Sequence, residues 1–462
     1  MAQPMPVWLD CDPGHDDAMA ILLAGHTPGL KLLGVSTVGG NQTLEKVTRN
    51  ALDVLDAIGL NHIDVVAGQA RPLMRPSKLC PEIHGDSGLD GPSGGRLLPR
   101  SQRKPLTGKA VNVMYDAISA AYQELQKEDA CTTATLPAAA PAATAHAADA
   151  TTAPTPADGL HHAPRKVKLV CTGALTNAAL LLTLYPEVAE QVEVVLMGGC
   201  MGVGNTGPVM EFNIQTDPEA ARIVFEFGMP ITMVPLEVTH TVLATPEVLA
   251  AIGSGRTNIR SSSGSSVDNG GSTAACEVGL DADAPCTGTT ATSTPSIAPS
   301  EGGDVVVADA QGGGGAAAAA EAEAGGTTGV NGAGSRGSNG HGSGSGCNGV
   351  APSPFRHTIQ QLLLFFAKTY RRVFRFEHPP LHDPVAVAYV IRPDHFECQH
   401  MRVDVETVSQ LSYGQTVCDV WGQSRLPPNV NVALRVDVAG FWEVMLEAVG
   451  RADAVSPLKG SR

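Results

Sequence analysis

The stretch VWLDCDPGHDDAMAI, residues 7–21, places four carboxylates within eight positions: Asp10, Asp12, Asp16 and Asp17. VWLD reads as a short buried strand. Pro13-Gly14 reads as a turn, and DDAMAILLAG as an apolar helix. Asp10 and Asp12 therefore sit at the carboxyl end of a strand, and Asp16 and Asp17 open a helix. Carboxylates in a first helical turn gain roughly 0.3–1 kcal/mol from the helix dipole. Capping accounts for one or two of the four. A solvated acidic loop is the plain reading of the others. Packed acids repel unless a cation joins them, however, and hard oxygen donors favour Ca²⁺ or Mg²⁺.

The same alternation continues along the chain. KLLGVSTVG, IDVVAG, KVKLVCTG, VEVVLMGG and PITMVPL read as strands. TLEKVTRNALDVLDAIG and LTNAALLLTLYP read as helices, as does EAARIVFEFG, which has an N-cap and first-turn proline in Asp217-Pro218. Thr245-Pro246 starts another helix. Short apolar strands alternating with helices predict an α/β fold with a mostly parallel, Rossmann-like central sheet flanked by helices. In such sheets ligands bind beyond the carboxyl ends of the strands.

Two stretches break the pattern. Residues 131–164 are rich in Ala, Thr and Pro, and residues 255–354 in Gly, Ser, Ala and Thr. Neither can bury enough apolar area to offset chain entropy, so both are expected to be disordered inserts. Residues 1–130, 165–254 and 355–455 then form a single domain interrupted twice, followed by a tail over 456–462.

The net charge is −15. It argues against a nucleic-acid or anionic-membrane surface, which needs basic patches. No apolar run reaches the roughly 18 residues of a membrane span. MAQPMP leaves no room for a leader before the first strand, so a cytoplasmic location is expected. The ten cysteines, among them Cys11, Cys80, Cys131, Cys171 and Cys200, form no CxxC pair and read as reduced thiols.

Other strand ends are also polar. They carry Gly40-Asn41, Thr172-Gly173, and GGCMGVGNTGPVMEFN with Asn205, Glu211 and Asn213; His382-Asp383-Pro384 precedes a further helix, VAVAYVI. Each is ordinary turn or cap chemistry alone. Together they gather carboxylates, amides and a histidine around one crevice. GVGNTG, residues 202–207, matches GxGxxG after a strand, but no helix opens within it, so a dinucleotide site is not expected.

LDCDPGHDDA resembles the DxDxxxDD signature of the inosine-uridine nucleoside hydrolases, Ca²⁺-dependent enzymes. The resemblance extends through STVGGNQTLEKVTRNA, EIHGDSGLDG, CTGALTNAA, VVLMGGCMGVGNTGPVMEFNIQTDPEAARIVF and HDPVAVAYV. The two inserts have no counterpart in it. It implies Ca²⁺ ligation by Asp12, Asp17, Asp383 and the Thr172 carbonyl, with Asp10 supporting the site from behind or at the metal rim. It implies ribose contacts from Asp16, Asn41, Asn205, Glu211 and Asn213, with Met197 near the sugar. His84 and His382 would line the base side. FFAKTYRRVF would be an aromatic-bearing mobile helix, with Tyr370 against the base and its basic run a solvated face. His240 reads as a packed histidine.

The implied reaction is hydrolysis of a ribonucleoside to free base and ribose. Asp12 would deprotonate water and His382 would assist base departure. A small-molecule substrate and a homo-oligomer, dimer or tetramer, are implied. Alternatives are a hydrolase of a modified or nicotinamide riboside, and a catalytically silent ribose-binding or scaffold protein.

Overall fold

In the computed structural model, which describes residues 3–134, 165–257 and 352–458, VWLD lies within β1 (Met5–Cys11). The helix after it, α1 (His15–His26), buries every residue from His15 to Ala24. A helix apolar all round belongs in the core, and Ile21, Leu22 and Leu23 each contribute roughly 1.5–3 kcal/mol by leaving water. Next come β2 (Leu30–Thr37), α2 (Leu44–Ala57) and β3 (Val65–Ala67), then α3 (Pro81–His84) and α4 (Ala110–Ala134). After the first expected insert follow β4 (Val167–Cys171), α5 (Thr176–Leu184), β5 (Val192–Met197), α6 (Phe212–Thr216) and α7 (Pro218–Glu226). Then come β6 (Ile231–Val234), α8 (Leu236–Thr239) and α9 (Pro246–Ser254).

The last block contains α10 (Pro354–Val373), α11 (Asp383–Ile391), β7 (Phe396–Met401), β8 (Val403–Val405), β9 (Thr416–Cys418), β10 (Val430–Val436) and α12 (Val438–Val455). Ser353 caps α10, its Oγ accepting from Arg356 N at 3.1 Å. Phe355, Ile359, Leu362, Leu363, Phe366 and Tyr370 form its buried stripe. Of its basic run, Arg371 and Arg372 are exposed but donate to the carbonyls of Glu377 and Glu82. Asp217 caps α7 as its sequence predicts, accepting from Ala220 N at 3.1 Å.

All described residues fall in one compact unit, formed by Met1–Ser262 and Asn348–Arg462. The two expected inserts lie outside the described residues except at their ends. There α4 continues to Ala134, past the expected boundary at residue 130, and α10 already starts at Pro354.

The main sheet has the order β3-β2-β1-β4-β5-β6-β10-β7. Every pairing is parallel except β10 with β7. Two apolar layers cover it. One includes Leu22, Leu52, Phe366 and Leu446; the other includes Met114, Leu169, Leu181 and Phe225. The order reverses direction between β1 and β4, the switch point where such sheets open a crevice at their carboxyl edge. Asp10 pairs with Cys171 across that junction and with Ser36 on the other side.

Candidate active site

Four carboxylates converge at the switch point. Asp12 follows β1, Asp16 and Asp17 lie in the first turn of α1, and Asp383 begins α11; all four are buried. Asp16, Asp17 and Asp383 each place a carboxylate oxygen within 4.8 Å of the other two, forming the one such acidic, histidine or cysteine group among the described residues. Asp12 stands beside this trio. Its Oδ2 accepts from Asn41 N at 2.7 Å, while its buried Oδ1 has no partner. Side-chain-free positions make room for it: a Cβ on Gly40 would collide with Oδ2, and one on Gly173 would lie 2.8 Å from Oδ1.

Asp17 is held from three sides. Thr172 Oγ1 donates to its Oδ1 at 2.9 Å, and Gly14 N and Asn41 Nδ2 donate to Oδ2 at 2.9 and 3.1 Å. Burial, then repulsion from Asp17, pushes Asp12 well above the usual carboxylate range. The same two causes raise Asp16 to about 7. Burial raises Asp17, and burial with repulsion from Asp16 and Asp17 raises Asp383 well above its ordinary value. Burial and mutual repulsion therefore disfavour the charged form of these carboxyls unless a cation joins them. Asp16 Oδ1, like Asp12 Oδ1, is buried without a partner. Acidic oxygens with unused lone pairs, converging from three elements, fit a hard divalent cation.

Asp10 lies behind this cluster, fully buried. Ser36 Oγ and Asn177 Nδ2 donate to its Oδ1 at 2.5 and 2.8 Å, and burial raises it to about 7. The roles of Ser36 and Asn177 were not assigned from sequence. Ser36 lies inside β2 and reads there as a strand residue.

The crevice above the cluster is lined by Asp16, Asn41, His84, Thr172, Met197, Asn205, Glu211, Asn213, Tyr370, His382 and Asp383. Every residue expected to contact ribose or base is thus brought to one cavity. Cys80, Ile83, Thr206, Phe212 and Phe374 line it too and were not expected. They are apolar or small loop residues with no chemical signature to select them.

Several expected ligand contacts also have structural duties. Glu211 caps α6: Oε1 accepts from Asn213 N, and Oε2 from Ile214 N and Gly199 N, all at 2.9–3.1 Å. A carboxylate offers about four acceptor sites, which leaves one open. Asn213 Nδ2 donates to the carbonyls of Thr172 and Met197 at 3.0 and 3.2 Å. The Thr172 oxygen retains a second lone pair. Asn205 Oδ1 accepts from Phe212 N at 2.9 Å and so fixes the loop after β5. That loop contains the GxGxxG match, and no helix opens in it.

On the side expected to face a base, Tyr370 Oη lies 2.6 Å from His382 Nε2, and Thr239 Oγ1 lies 2.7 Å from His382 Nδ1. Burial pushes His382 well below the usual histidine range, so its ring is neutral at neutral pH. His240 packs edge-on to His382, with ring centroids 5.5 Å apart, and near Phe376. His84 ends α3, with its Nδ1 beside His15.

The family model for inosine-uridine preferring nucleoside hydrolase matches residues 7–443. The chain belongs to that family. The nucleoside hydrolases among its curated relatives include a probable ribonucleoside hydrolase of Dictyostelium discoideum. It is 34% identical over 448 residues, covering 96% of this chain and 94% of the relative. A pyrimidine-specific ribonucleoside hydrolase of Shewanella sp. (strain MR-7) is 28% identical and covers 96% of each chain. A purine-preferring ribonucleoside hydrolase from Gardnerella vaginalis shares the nucleoside hydrolase fold at TM-score 0.62 and 21% identity, covering 97% of this chain and 99% of that one. A plant nucleoside hydrolase shares it at TM-score 0.60 and 21% identity, covering 96% and 99%. The chain is accordingly a ribonucleoside hydrolase, an enzyme that cleaves the N-glycosidic bond of a small-molecule ribonucleoside.

Proposed function

We propose that this hydrolase cleaves inosine, uridine and related ribonucleosides with Ca²⁺ as its resident ion. The observation that carries the reading is the burial of Asp12, Asp16, Asp17 and Asp383 together at one sheet edge, with Asp16 and Asp383 lining the crevice and two of the four keeping unpartnered oxygens. Asp12, Asp17, Asp383 and the Thr172 carbonyl would hold the ion. Asp16 belongs to the tight trio and is proposed to serve the ribose from the same cluster. When bound, the ion supplies Lewis acidity that makes a neighbouring water easier to deprotonate.

The chain's own groups do the rest. Asp12 Oδ1, buried and without a protein partner, accepts the proton of the attacking water. Asp16, Glu211 and the amides of Asn41, Asn205 and Asn213 take the ribose hydroxyls, and Met197 packs beneath the sugar. Their negative potential favours the cationic ribosyl ring that forms as the bond breaks. Asp10 fixes the end of β1 through Ser36 and Asn177.

His382, Tyr370 and His84 attend the leaving base. With its proton on Nε2, His382 donates to Tyr370 Oη, which frees the phenolic O–H for the base. Thr239 Oγ1 then donates to Nδ1 and gives up its longer, 3.4 Å contact with the Leu236 carbonyl. A neutral imidazole in this chain supports the departing base by hydrogen bonding through Tyr370.

No described helix is long and apolar enough to cross a membrane. The described cysteines Cys11, Cys80, Cys171, Cys200, Cys398 and Cys418 are all free, which supports a cytoplasmic, reducing location. Val408, Leu411 and Trp421 are 84–86% exposed; such apolar exposure supports a homo-oligomer, dimer or tetramer. The deciding assay is release of base from inosine and uridine with and without chelator. Cleavage undiminished by exhaustive chelation would sink the metal reading.

A further inference from the structure

His15 lies outside the roles assigned above, yet it is fully buried and directly beside His84. The two rings are inclined by 20° with centroids 5.6 Å apart, while their Nδ1 atoms approach to 3.3 Å. The rings therefore meet edge to edge, nitrogen to nitrogen. Two further contacts fix the arrangement. His15 Nε2 lies 2.9 Å from the Asp90 carbonyl oxygen, and His15 N lies 3.3 Å from His84 Nδ1. Gly14 allows the approach, because a Cβ there would overlap the His84 ring. Phe365 and Phe366 lie parallel to the His15 ring at 4.8 and 5.6 Å.

Hydrogen-bond polarity can be assigned from these partners. A carbonyl oxygen only accepts, so His15 Nε2 carries the proton. A neutral imidazole has one N–H, which makes His15 Nδ1 an acceptor. Burial keeps both rings neutral, since an unpaired imidazolium there would be costly. His84 Nδ1 thus faces a donor, the His15 backbone N–H, and an acceptor, the His15 ring nitrogen, at the same distance. Whichever tautomer His84 adopts, Nδ1 has a partner. His84 Nε2 has none among the described residues, and His84 lines the crevice.

We propose that His15 is a positioning residue that makes His84 a two-way hydrogen-bonding group toward the base. With Nδ1 bare, His84 accepts from His15 N and presents an N–H to the crevice. With Nδ1 protonated, it donates to the His15 ring and presents a lone pair. The bound base selects one of two populated tautomers. The site then tolerates bases whose edges have opposite polarity. The inference rests on the hydrolase reading and on His84 facing the base.

Uridine and cytidine form the matched probe. They share ribose and ring skeleton, but uridine presents N–H and C=O where cytidine presents a ring lone pair and NH₂. The wild-type enzyme should cleave both. His15→Phe keeps a flat ring against Phe365 and removes the Nδ1 acceptor, leaving the backbone donor. It should fix His84 as a donor and change the uridine-to-cytidine ratio of kcat/KM by about tenfold, the scale of one lost hydrogen bond. The change should fall mainly on KM. His15→Asn, whose side-chain carbonyl can stand in for Nδ1, should restore the ratio. A His15→Phe enzyme with both rates lowered equally would overturn the proposal, as would an unchanged ratio. If His15→Phe does not fold, ¹⁵N spectra of the wild-type imidazoles with uracil or cytosine bound give the same answer. Different His84 tautomers support it, and one tautomer in both overturns it. A wild-type protein that cleaves no nucleoside would instead refute the hydrolase reading itself, and this inference with it.

Discussion

Tyr370 Oη and His382 Nε2 share a 2.6 Å hydrogen bond inside the crevice, and Thr239 closes the other side of the imidazole. Both nitrogens of His382 are therefore occupied, and the Tyr370 ring lines the crevice where the base is proposed to sit. A purine leaving group has ring nitrogens that accept a hydrogen bond as the glycosidic bond breaks. Uracil has no comparably basic ring nitrogen. His382→Ala and Tyr370→Phe should each slow inosine hydrolysis by about 10²-fold, the scale of one lost hydrogen-bond donor to charge that develops in the transition state. Uridine hydrolysis should fall much less. The loss should appear in kcat, because the contact matters most as the bond breaks. Steady-state kinetics on both substrates at full Ca²⁺ occupancy test this. Equal losses would leave His382 as a residue that positions Asp383.

Asp17 and Asp383 lie far apart in the sequence and meet in one acidic trio. On the proposed Ca²⁺ reading, Ca²⁺ should raise the wild-type melting temperature by binding only the folded state, and Asp17→Ala and Asp383→Ala should abolish both cleavage and that rise. Differential scanning fluorimetry with a Ca²⁺ titration reads the second effect independently of activity.

The same cluster sets a pH dependence. Asp10 and Asp16 are raised to about 7, and Asp12, Asp17 and Asp383 are raised too. A carboxyl whose folded pKa exceeds its unfolded value favours the fold while protonated. That contribution is lost as pH rises from the unfolded value near 4 through about 7. Without Ca²⁺ the melting temperature should therefore fall between pH 5 and pH 8. Added Ca²⁺ should raise it much more at pH 8 than at pH 5, since the ligands must be deprotonated to bind. A Ca²⁺ shift of equal size at both values would contradict this.

Asn177 ties β1, β2 and the loop after β3 together with one side chain. Its Nδ2 donates to Asp10 Oδ1 and the Thr37 carbonyl, and its Oδ1 accepts from Gln69 N. Asn177→Ala strands these buried groups, at about 1–3 kcal/mol each where no water replaces the amide. It should lower the melting temperature markedly, and Asn177→Asp should not restore it, because a carboxylate cannot donate to Asp10. Thermal denaturation of both variants checks the ordering.

The chain ends flanking each expected insert are held together. Arg165 pairs with Asp129 at 2.7 Å and with Glu128 at 3.1 Å. Arg356 Nη1 donates to the Ile252 carbonyl at 2.8 Å. Short Gly/Ser linkers in place of residues 135–160 and 258–350 should thus retain cleavage, since loop length costs stability only logarithmically. Loss of soluble protein on replacing 258–350 would show that this segment stabilises the fold.

The sequence by itself determined what short-range physics controls. Strand and helix periods, the Asp217-Pro218 cap and the buried helix after DD follow from local spacing and solvation. So does the concentration of acids at a strand's carboxyl end. The helical period of α4 is also present in its buried Val111, Met114, Ile118, Ala121 and Leu125, although it went unassigned. The β7 edge strand was harder to see, because FECQHM is half exposed and carries polar residues. Tertiary structure alone decided which distant groups meet. Asp16 joins Asp17 and Asp383 in the tight trio, with Asp12 beside it. Ser36 and Asn177 grip Asp10, Thr239 backs His382, and His15 meets His84. These partners lie tens to hundreds of residues apart, and their side chains are of ordinary strand, helix and cap types. Their pairing depends on the strand order and on where each loop crosses the sheet edge, and no local period encodes that.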